Sequence, residues 1–366
     1  MLVRTFVFKV ASRCNLNCDY CYVYNAGDTS WRAQPTMMSY DVARAAVARI
    51  REHAEVNALD RVVVNFHGGE PLLCGPQRLE DLLAIVQDGF DESGISVSTS
   101  VQTNGVLFSG AAAEVARRRG VRYFLSVDGP PEVNDRHRVG HGGKGSGRGV
   151  DAALRSLSGP NRDVFAGCLA VVDPDNDPVL VMDYLLDHEP PVVDLLLPLH
   201  NHDRPPPAPA RVYGEWLAAA FDRWMEREVP TRVRTFDSIL GALVTRAADD
   251  PEATPEGSLI VETNGELEVD DTLKTAFDGA AKLGLDVFGD GLAAATEHPA
   301  LSAASGTALS STCRRCPALR ACGGGHVSHR YAGDTAFDNP SVYCDGLMHL
   351  VLHVRDALTA QLRAAA

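Results

Sequence analysis

Six times in its first 200 residues the chain alternates a short apolar strand with a helical segment, and this alternation restricts the fold more than any other feature of the sequence. The strands read as 5–10, 62–66, 96–102, 123–127, 167–172 and 193–197, each rich in Val, Leu or Phe. Ser39 is placed to cap a helix over 42–54, with Asp41 in the first turn where the helix dipole favours an acid. Ser109 is placed to cap another that ends before Gly120. Alternation of this kind calls for parallel strands joined by right-handed crossovers, and six repeats are too few for an eight-fold barrel. The run Arg204-Pro205-Pro206-Pro207-Ala208-Pro209 cannot continue a helix or a central strand, so a linker and a domain boundary are expected there. Beyond it, Trp216, Ala220 and Trp224 recur at helical spacing, a packing stripe rather than a ligand cage. Residues 259–269 read as a hairpin turning at Asn264-Gly265, residues from Leu347 onward as a closing helix, and the glycine-rich stretch 140–149 as a mobile loop. The expected division is 1–203, an α/β core; 204–257, a linker and helical bridge; and 258–366, a C-terminal domain.

Forty-eight acidic against thirty-four basic residues give a formal charge of −14, which repels a phosphate backbone and argues against general nucleic-acid binding. No apolar stretch marks a signal peptide or a membrane span, so a cytoplasmic protein is expected. In a reducing compartment clustered cysteines point to metal rather than to disulfides. The first strand starts almost at Met1, so no leader-binding domain is expected ahead of it.

Seven of the nine cysteines fall into two groups. Cys14, Cys18 and Cys21 follow the first strand, at the end where α/β proteins carry their active-site loops. Three thiolates within eight residues can wrap one face of an iron–sulfur cluster and leave one iron without a protein ligand, whereas a structural zinc wants a fourth ligand. His67-Gly68-Gly69-Glu70-Pro71 follows the second strand, with glycines that allow close backbone approach and a glutamate able to accept from an ammonium. Gln102-Thr103-Asn104-Gly105 ends the third strand and Ser126-Val127-Asp128-Gly129 the fourth. Near the C-terminus, Cys313, Cys316, Cys322 and Cys344 supply four thiolates, enough for a tetrahedral zinc or for every iron of a [4Fe–4S] cluster; spacing alone does not decide. Cys74 and Cys168 stand alone and read as packing residues.

With Tyr20 before its third cysteine, the first group resembles the radical S-adenosylmethionine (SAM) superfamily. The resemblance implies an α/β fold, a partial (β/α)6 TIM-like barrel. It also implies a [4Fe–4S] cluster whose open iron is chelated by SAM and drives its cleavage to a 5′-deoxyadenosyl radical. By the same resemblance the loop of Gly68, Gly69, Glu70 and Pro71 meets the SAM amino group, Ser126 and Asp128 lie near the ribose, and Arg138 pairs with the SAM carboxylate, a contact suited to a bidentate guanidinium. The second group resembles a C-terminal SPASM/twitch-like auxiliary-cluster domain. Its usual second cluster needs two further cysteines, where this chain has His326 and Asp270, so one auxiliary [4Fe–4S] cluster is expected. His326 is expected to pack or hydrogen-bond near it. Asp271 stands where some relatives carry an acid that takes a substrate proton.

Ser12–Tyr24, Asp28–Arg32, His67–Leu73, Asn134–Arg138 and Cys322–Cys344 together resemble the FxsB-type radical SAM/SPASM peptide maturases. That resemblance implies a cyclophane in a ribosomally made precursor peptide, through a carbon–carbon bond between an aromatic ring and a nearby β-carbon. The partners implied are that peptide and a cellular electron donor, with neither nucleic acid nor membrane. A thioether-forming or sulfatase-maturing enzyme would share both cysteine groups, and a non-enzymatic zinc-binding protein is the alternative of a different class.

Overall fold

A computed structural model describes residues 2–244, 256–304 and 309–365. All six expected strands form: β1 (Leu2–Ala11), β2 (Arg61–Gly68), β3 (Ser96–Thr103), β4 (Arg122–Ser126), β5 (Phe165–Val171) and β6 (Val192–Leu196). Between them run α1 (Tyr40–Val56), α2 (Gly75–Asp88), α3 (Gly110–Arg119), α4 (Gly147–Ser158) and α5 (Pro178–Asp187). The caps follow the sequence: Ser39 accepts from the Val42 amide, Ser109 from that of Ala112, and Gly120 ends α3 at a φ of 62°.

The chain forms two compact units. The first comprises Met1–Ser126, Asn134–Ala166 and Thr254–Ser305; the second comprises Val127–Val133, Gly167–Ala253 and Gly306–Ala366. In the first, β1 pairs parallel with β2, β2 with β3 and β3 with β4. The other edge of β1 is occupied by β8 (Glu256–Val261), also parallel, and β8 turns at Asn264-Gly265 into the antiparallel β9 (Glu266–Glu268), which pairs with β10 (Lys282–Asp286). One face of β1 carries Phe6 and Phe8, fully buried, with the Phe6 ring 6.2 Å from that of His53 on α1. The opposite face carries Lys9, whose register partner on β2 is His67.

The second unit holds β6, most of β5 and the short β7 (Arg232–Val233), with α6 (Ala210–Arg227), α7 (Arg234–Val244) and α8 (Cys344–Ala365). α6 and α8 meet at a glycine pair: a Cβ on Gly214 would lie 2.3 Å from the Gly346 carbonyl oxygen, and one on Gly346 would lie 2.1 Å from that of Ala210. Trp216 and Ala220 are buried, Trp216 donating to the Asn176 carbonyl and Trp224 to that of Thr231, so this stripe packs as its spacing predicts.

Two expectations meet different packing. The proline run does interrupt regular structure, but the second unit continues through it, with the His202 amide bonded to the Tyr331 carbonyl. Residues 256–304, divided at 257 in the sequence reading, pack with the N-terminal segment because β8 completes the edge of β1. Residues 245–255 of the expected bridge lie outside the described residues. The stretch 140–149 is no free loop: the Gly140 amide bonds the Lys144 carbonyl at 2.8 Å, Val139 bridges Gly145, and α4 begins at Gly147. Asp135 fills the space where a Gly145 side chain would stand, which is why that position is glycine.

Candidate functional site

The loop carrying Cys14, Cys18 and Cys21 is clamped on two sides. Toward β2, the Gly69 amide bonds the Ala11 carbonyl at 2.8 Å and the Glu70 amide bonds that of Arg13 at 2.9 Å. A Cβ on Gly69 would fall 2.3 Å from the Arg13 carbonyl oxygen, and one on Gly68, at a φ of 153°, would fall 2.2 Å from that of Ala11. These glycines therefore serve the approach of one loop to the other. On the far side the Asn17 amide bonds the Val139 carbonyl at 2.7 Å and the Asp19 amide that of His137. His141 meets the Cys14 carbonyl at 2.9 Å, so the glycine-rich stretch walls the cysteine loop.

The three cysteines are free, and negative charge on Cys18 or Cys21 would disfavour ionisation of Cys14. Burial, partly offset by the Leu16 amide, pushes the Cys14 thiol up to about 12, and burial raises that of Cys21. Such a loop holds neutral thiols until a cation is bound. The Leu16 amide and the Asn104 side chain already direct N–H groups at the Cys14 sulfur, at 3.4 and 3.6 Å, as a ligating thiolate requires.

Glu70, 1% exposed, accepts from the Thr103 hydroxyl and the Asn104 amide, both at 2.7 Å, and from the Leu72 amide at 2.9 Å. It thereby ties the end of β2 to that of β3, and Pro71 opens the short helical turn that Glu70 caps. Burial raises its pKa, while these donors and Arg138 oppose the rise. Arg138 is itself buried and donates to the Tyr20 hydroxyl at 2.9 Å. Ser126 closes β4; Asp128 falls in the second unit, where it accepts from the Val171 amide at 3.0 Å.

Asp271 lies in a buried polar cluster next to the third cysteine. Tyr22 donates to its two oxygens at 3.3 and 3.2 Å, and Lys9, 3% exposed, makes an ion pair with it. Lys9 also stands 3.3 Å from Nδ1 of His67. An ammonium only donates, so Nδ1 is the acceptor and the ring proton sits on Nε2. Burial, then Lys9, depress His67 to about 4, which keeps the ring neutral. Burial alone would raise Asp271, but Lys9, His67 and Lys274 outweigh it and hold the carboxyl at about 2. Lys274 bridges Glu262 at 2.8 Å and Glu268 at 2.7 Å, so two buried acids share one lysine. The sequence pointed to Asp271, and to His67 only as part of the glycine loop motif, but not to Lys9, Tyr22, Glu262, Glu268 or Lys274. A lysine in the apolar run of β1 was the one available sign.

In the second unit Cys313, Cys316, Cys322 and Cys344 line a single apolar pocket of about 50 Å³, with Leu319 and Met348 in its wall. Burial raises the Cys322 and Cys344 thiols, and the other cysteines of the group add to the rise. The two positions without the expected cysteine are helix caps: Asp270 accepts from the Thr272 amide at 3.0 Å, and Nδ1 of His326 accepts from that of Ser328 at 3.3 Å. His326 thus hydrogen-bonds, as expected of it. Cys168 is buried in β5, as a packing residue would be.

Residues 8–159 match the model of the Radical SAM superfamily. The chain is 28% identical over 148 residues to the cysteine-type anaerobic sulfatase-maturating enzyme of Clostridium novyi (strain NT), covering 40% of this chain and 38% of that enzyme. It is 32% identical over 154 residues to the serine-type enzyme of Klebsiella aerogenes, covering 40% and 34%. The matches span well under half the length of these curated relatives. Among solved structures, anSMEcpe with bound AdoMet superposes with a TM-score of 0.82 at 20% identity, over 97% of this chain and 98% of that one. Streptococcus suis SuiB bound to precursor peptide SuiA gives 0.60 at 14%, over 94% and 76%. The fold is thus the radical SAM α/β fold with a parallel sheet, and no described helix is long and apolar enough to cross a membrane. Over residues 8–159 the chain is thus similar to the Radical SAM superfamily, and the fold around that stretch agrees with the similarity.

Proposed function

We propose that this chain is a radical SAM maturase of a ribosomally made peptide, joining an aromatic ring carbon to the β-carbon of a nearby residue. The observation that carries the reading is the buried carboxylate of Asp271, held by Tyr22 immediately after the third cysteine of the open triad. When bound, a [4Fe–4S] cluster with SAM supplies a 5′-deoxyadenosyl radical that takes a hydrogen atom, and an auxiliary [4Fe–4S] cluster accepts one electron.

Around those groups the chain has four tasks. Cys14, Cys18 and Cys21 would hold the first cluster, leaving one iron for the amino and carboxylate groups of SAM. Glu70 fixes the loop that faces the amino group, Arg138 with Tyr20 offers a bidentate partner to the carboxylate, and Ser126 and Asp128 serve the ribose. Cys313, Cys316, Cys322 and Cys344 would hold the auxiliary cluster; four thiolates around one apolar pocket are enough to ligate every iron of such a group. Asp271 would receive the proton that leaves the ring as its aromaticity returns. A carboxylate held at about 2 is a weak base, but a ring carbon losing an electron and a proton together is a strong acid, so weak basicity suffices.

The likeness to sulfatase-maturating enzymes favours a second reading, oxidation of one peptide side chain to an aldehyde. Both are tested on anaerobically reconstituted protein incubated with SAM, a reductant and candidate precursor peptides. The crosslink predicts a peptide lighter by two hydrogens that resists fragmentation between the joined residues and does not react with a hydrazide. A hydrazide-reactive product supports the aldehyde reading instead, and SAM cleavage with unchanged peptide counts against both. Iron analysis checks the ligand assignment: about eight irons per chain are expected, and about twelve would refute it.

A further inference from the structure

The largest fully buried side chain outside the roles assigned so far is Arg330, 1% exposed, on the short turn Val327–Arg330. It packs against Gly324 and Gly325, the last two of three consecutive glycines with φ values of 63°, 81° and 70° immediately after Cys322. Its Nη2 donates to the Gly325 carbonyl at 3.1 Å, and its Cζ lies 3.8 Å from where a Gly324 Cβ would stand. Gly324 lines the four-cysteine pocket, so bare glycine backbone separates a buried guanidinium from that cavity. The same turn is tied to the cysteine's own backbone, the Gly325 amide donating to the Cys322 carbonyl at 3.0 Å. A guanidinium stays ionised even where burying it is costly, so it is a fixed charge.

We propose that Arg330 is a redox-tuning residue, a positive charge built behind the glycine turn to favour the reduced form of an iron–sulfur group held by Cys313, Cys316, Cys322 and Cys344. The inference rests on the four-cysteine assignment made above. One electron entering a [4Fe–4S] group on four thiolates takes the net charge from −2 to −3. In a low-dielectric site the added charge is stabilised by a nearby cation. In the proposed reaction the electron comes from the peptide radical after the new bond has formed, while the accompanying proton passes to Asp271. Arg330 acts through the group it faces and touches neither substrate nor SAM.

The test is an EPR-monitored redox titration of the reconstituted full chain in a Cys14→Ala background, which isolates the signal of the second group. Arg330→Gln and the bulkier Arg330→Met are compared with Arg330→Lys. Both neutral variants are expected to keep four irons and to lower the reduced-to-oxidised ratio at a fixed potential about tenfold, a shift of about 59 mV for a one-electron couple. Arg330→Lys should recover most of it. Neutral variants with an unchanged midpoint, or Lys and neutral variants shifted equally, would overturn the proposal. A Cys14→Ala protein that binds no iron overturns the four-cysteine assignment itself and the proposal with it.

Discussion

Removing Lys9 tests whether the buried cluster around Asp271 is a coupled electrostatic unit. The drop of the Asp271 pKa from 3.8 to about 2 corresponds to about 2.4 kcal/mol of preference for the charged form in the folded chain. Because the folded value is the lower one, this stability is present above pH 3.8 and is lost as the pH falls through about 2. Burial works against the ionised form, so Lys9 supplies more than the net figure. Lys9→Met leaves a carboxylate, itself only 9% exposed, without its ion-pair partner, at a cost of about 3–5 kcal/mol at pH 7. For a chain of 366 residues the unfolding entropy is roughly 0.8 kcal/mol per degree, so the melting temperature should fall by about 4–6 °C. Lys9→Met/Asp271→Asn removes the charge left behind and should regain at least about 3 °C relative to Lys9→Met. Differential scanning fluorimetry of the anaerobically reconstituted single and double variants measures the cycle. Additive effects, agreeing within about 0.5 kcal/mol, would refute coupling between the two side chains.

Glu268 shares Lys274 with Glu262, and burial followed by Glu262 raises its pKa from 4.5 to about 7. Its folded form therefore keeps a proton that the unfolded chain has lost, and roughly 3 kcal/mol of stability should disappear as the pH rises from 4.5 through 7. Glu268→Gln should accordingly raise the melting temperature at pH 8 and leave it little changed at pH 4.5; equal effects at both pH values would contradict this account. Gly69→Ala places a methyl against the Arg13 carbonyl and should cost about 1–3 kcal/mol, read as a lower melting temperature with fewer irons retained after gel filtration. Glu70→Gln turns one acceptor into a donor facing either the Thr103 hydroxyl and Leu72 amide or the Asn104 amide. Each donor left unmet costs about 1–3 kcal/mol, and SAM affinity measured by equilibrium dialysis should fall with stability; unaltered affinity would separate Glu70 from SAM binding.

The strands, the two main helix caps and the hairpin were legible because each is written locally, in runs of Val and Phe, in Ser39 and Ser109, and in Asn264-Gly265. Both cysteine groups were visible as clusters in the sequence, and one pocket is lined by Cys344 together with the three cysteines more than twenty residues before it. What stayed hidden depends on pairing across the chain. Nothing near Lys9 announces that β8 will lie beside β1 and carry Glu262 and Asp271 into the same unit. The same pairing explains why the sequence divide at 257 separates residues that pack together. Gly140 and its neighbours read as a loose loop because glycine signals conformational freedom, whereas the bonds that restrain them come from residues 14–17.

The cysteine loop bonded on both flanks has a consequence for cofactor assembly. In small zinc modules the apo chain is unfolded and the binding energy of the metal becomes folding energy. Here the Ala11 and Arg13 carbonyls accept from the Gly69 and Glu70 amides, and the Asn17 and Asp19 amides donate to the Val139 and His137 carbonyls, so protein hydrogen bonds set the path of the loop backbone. Filling such a loop resembles seating a casting in a finished mould: iron loading would change the colour and the redox behaviour of the protein far more than its secondary structure.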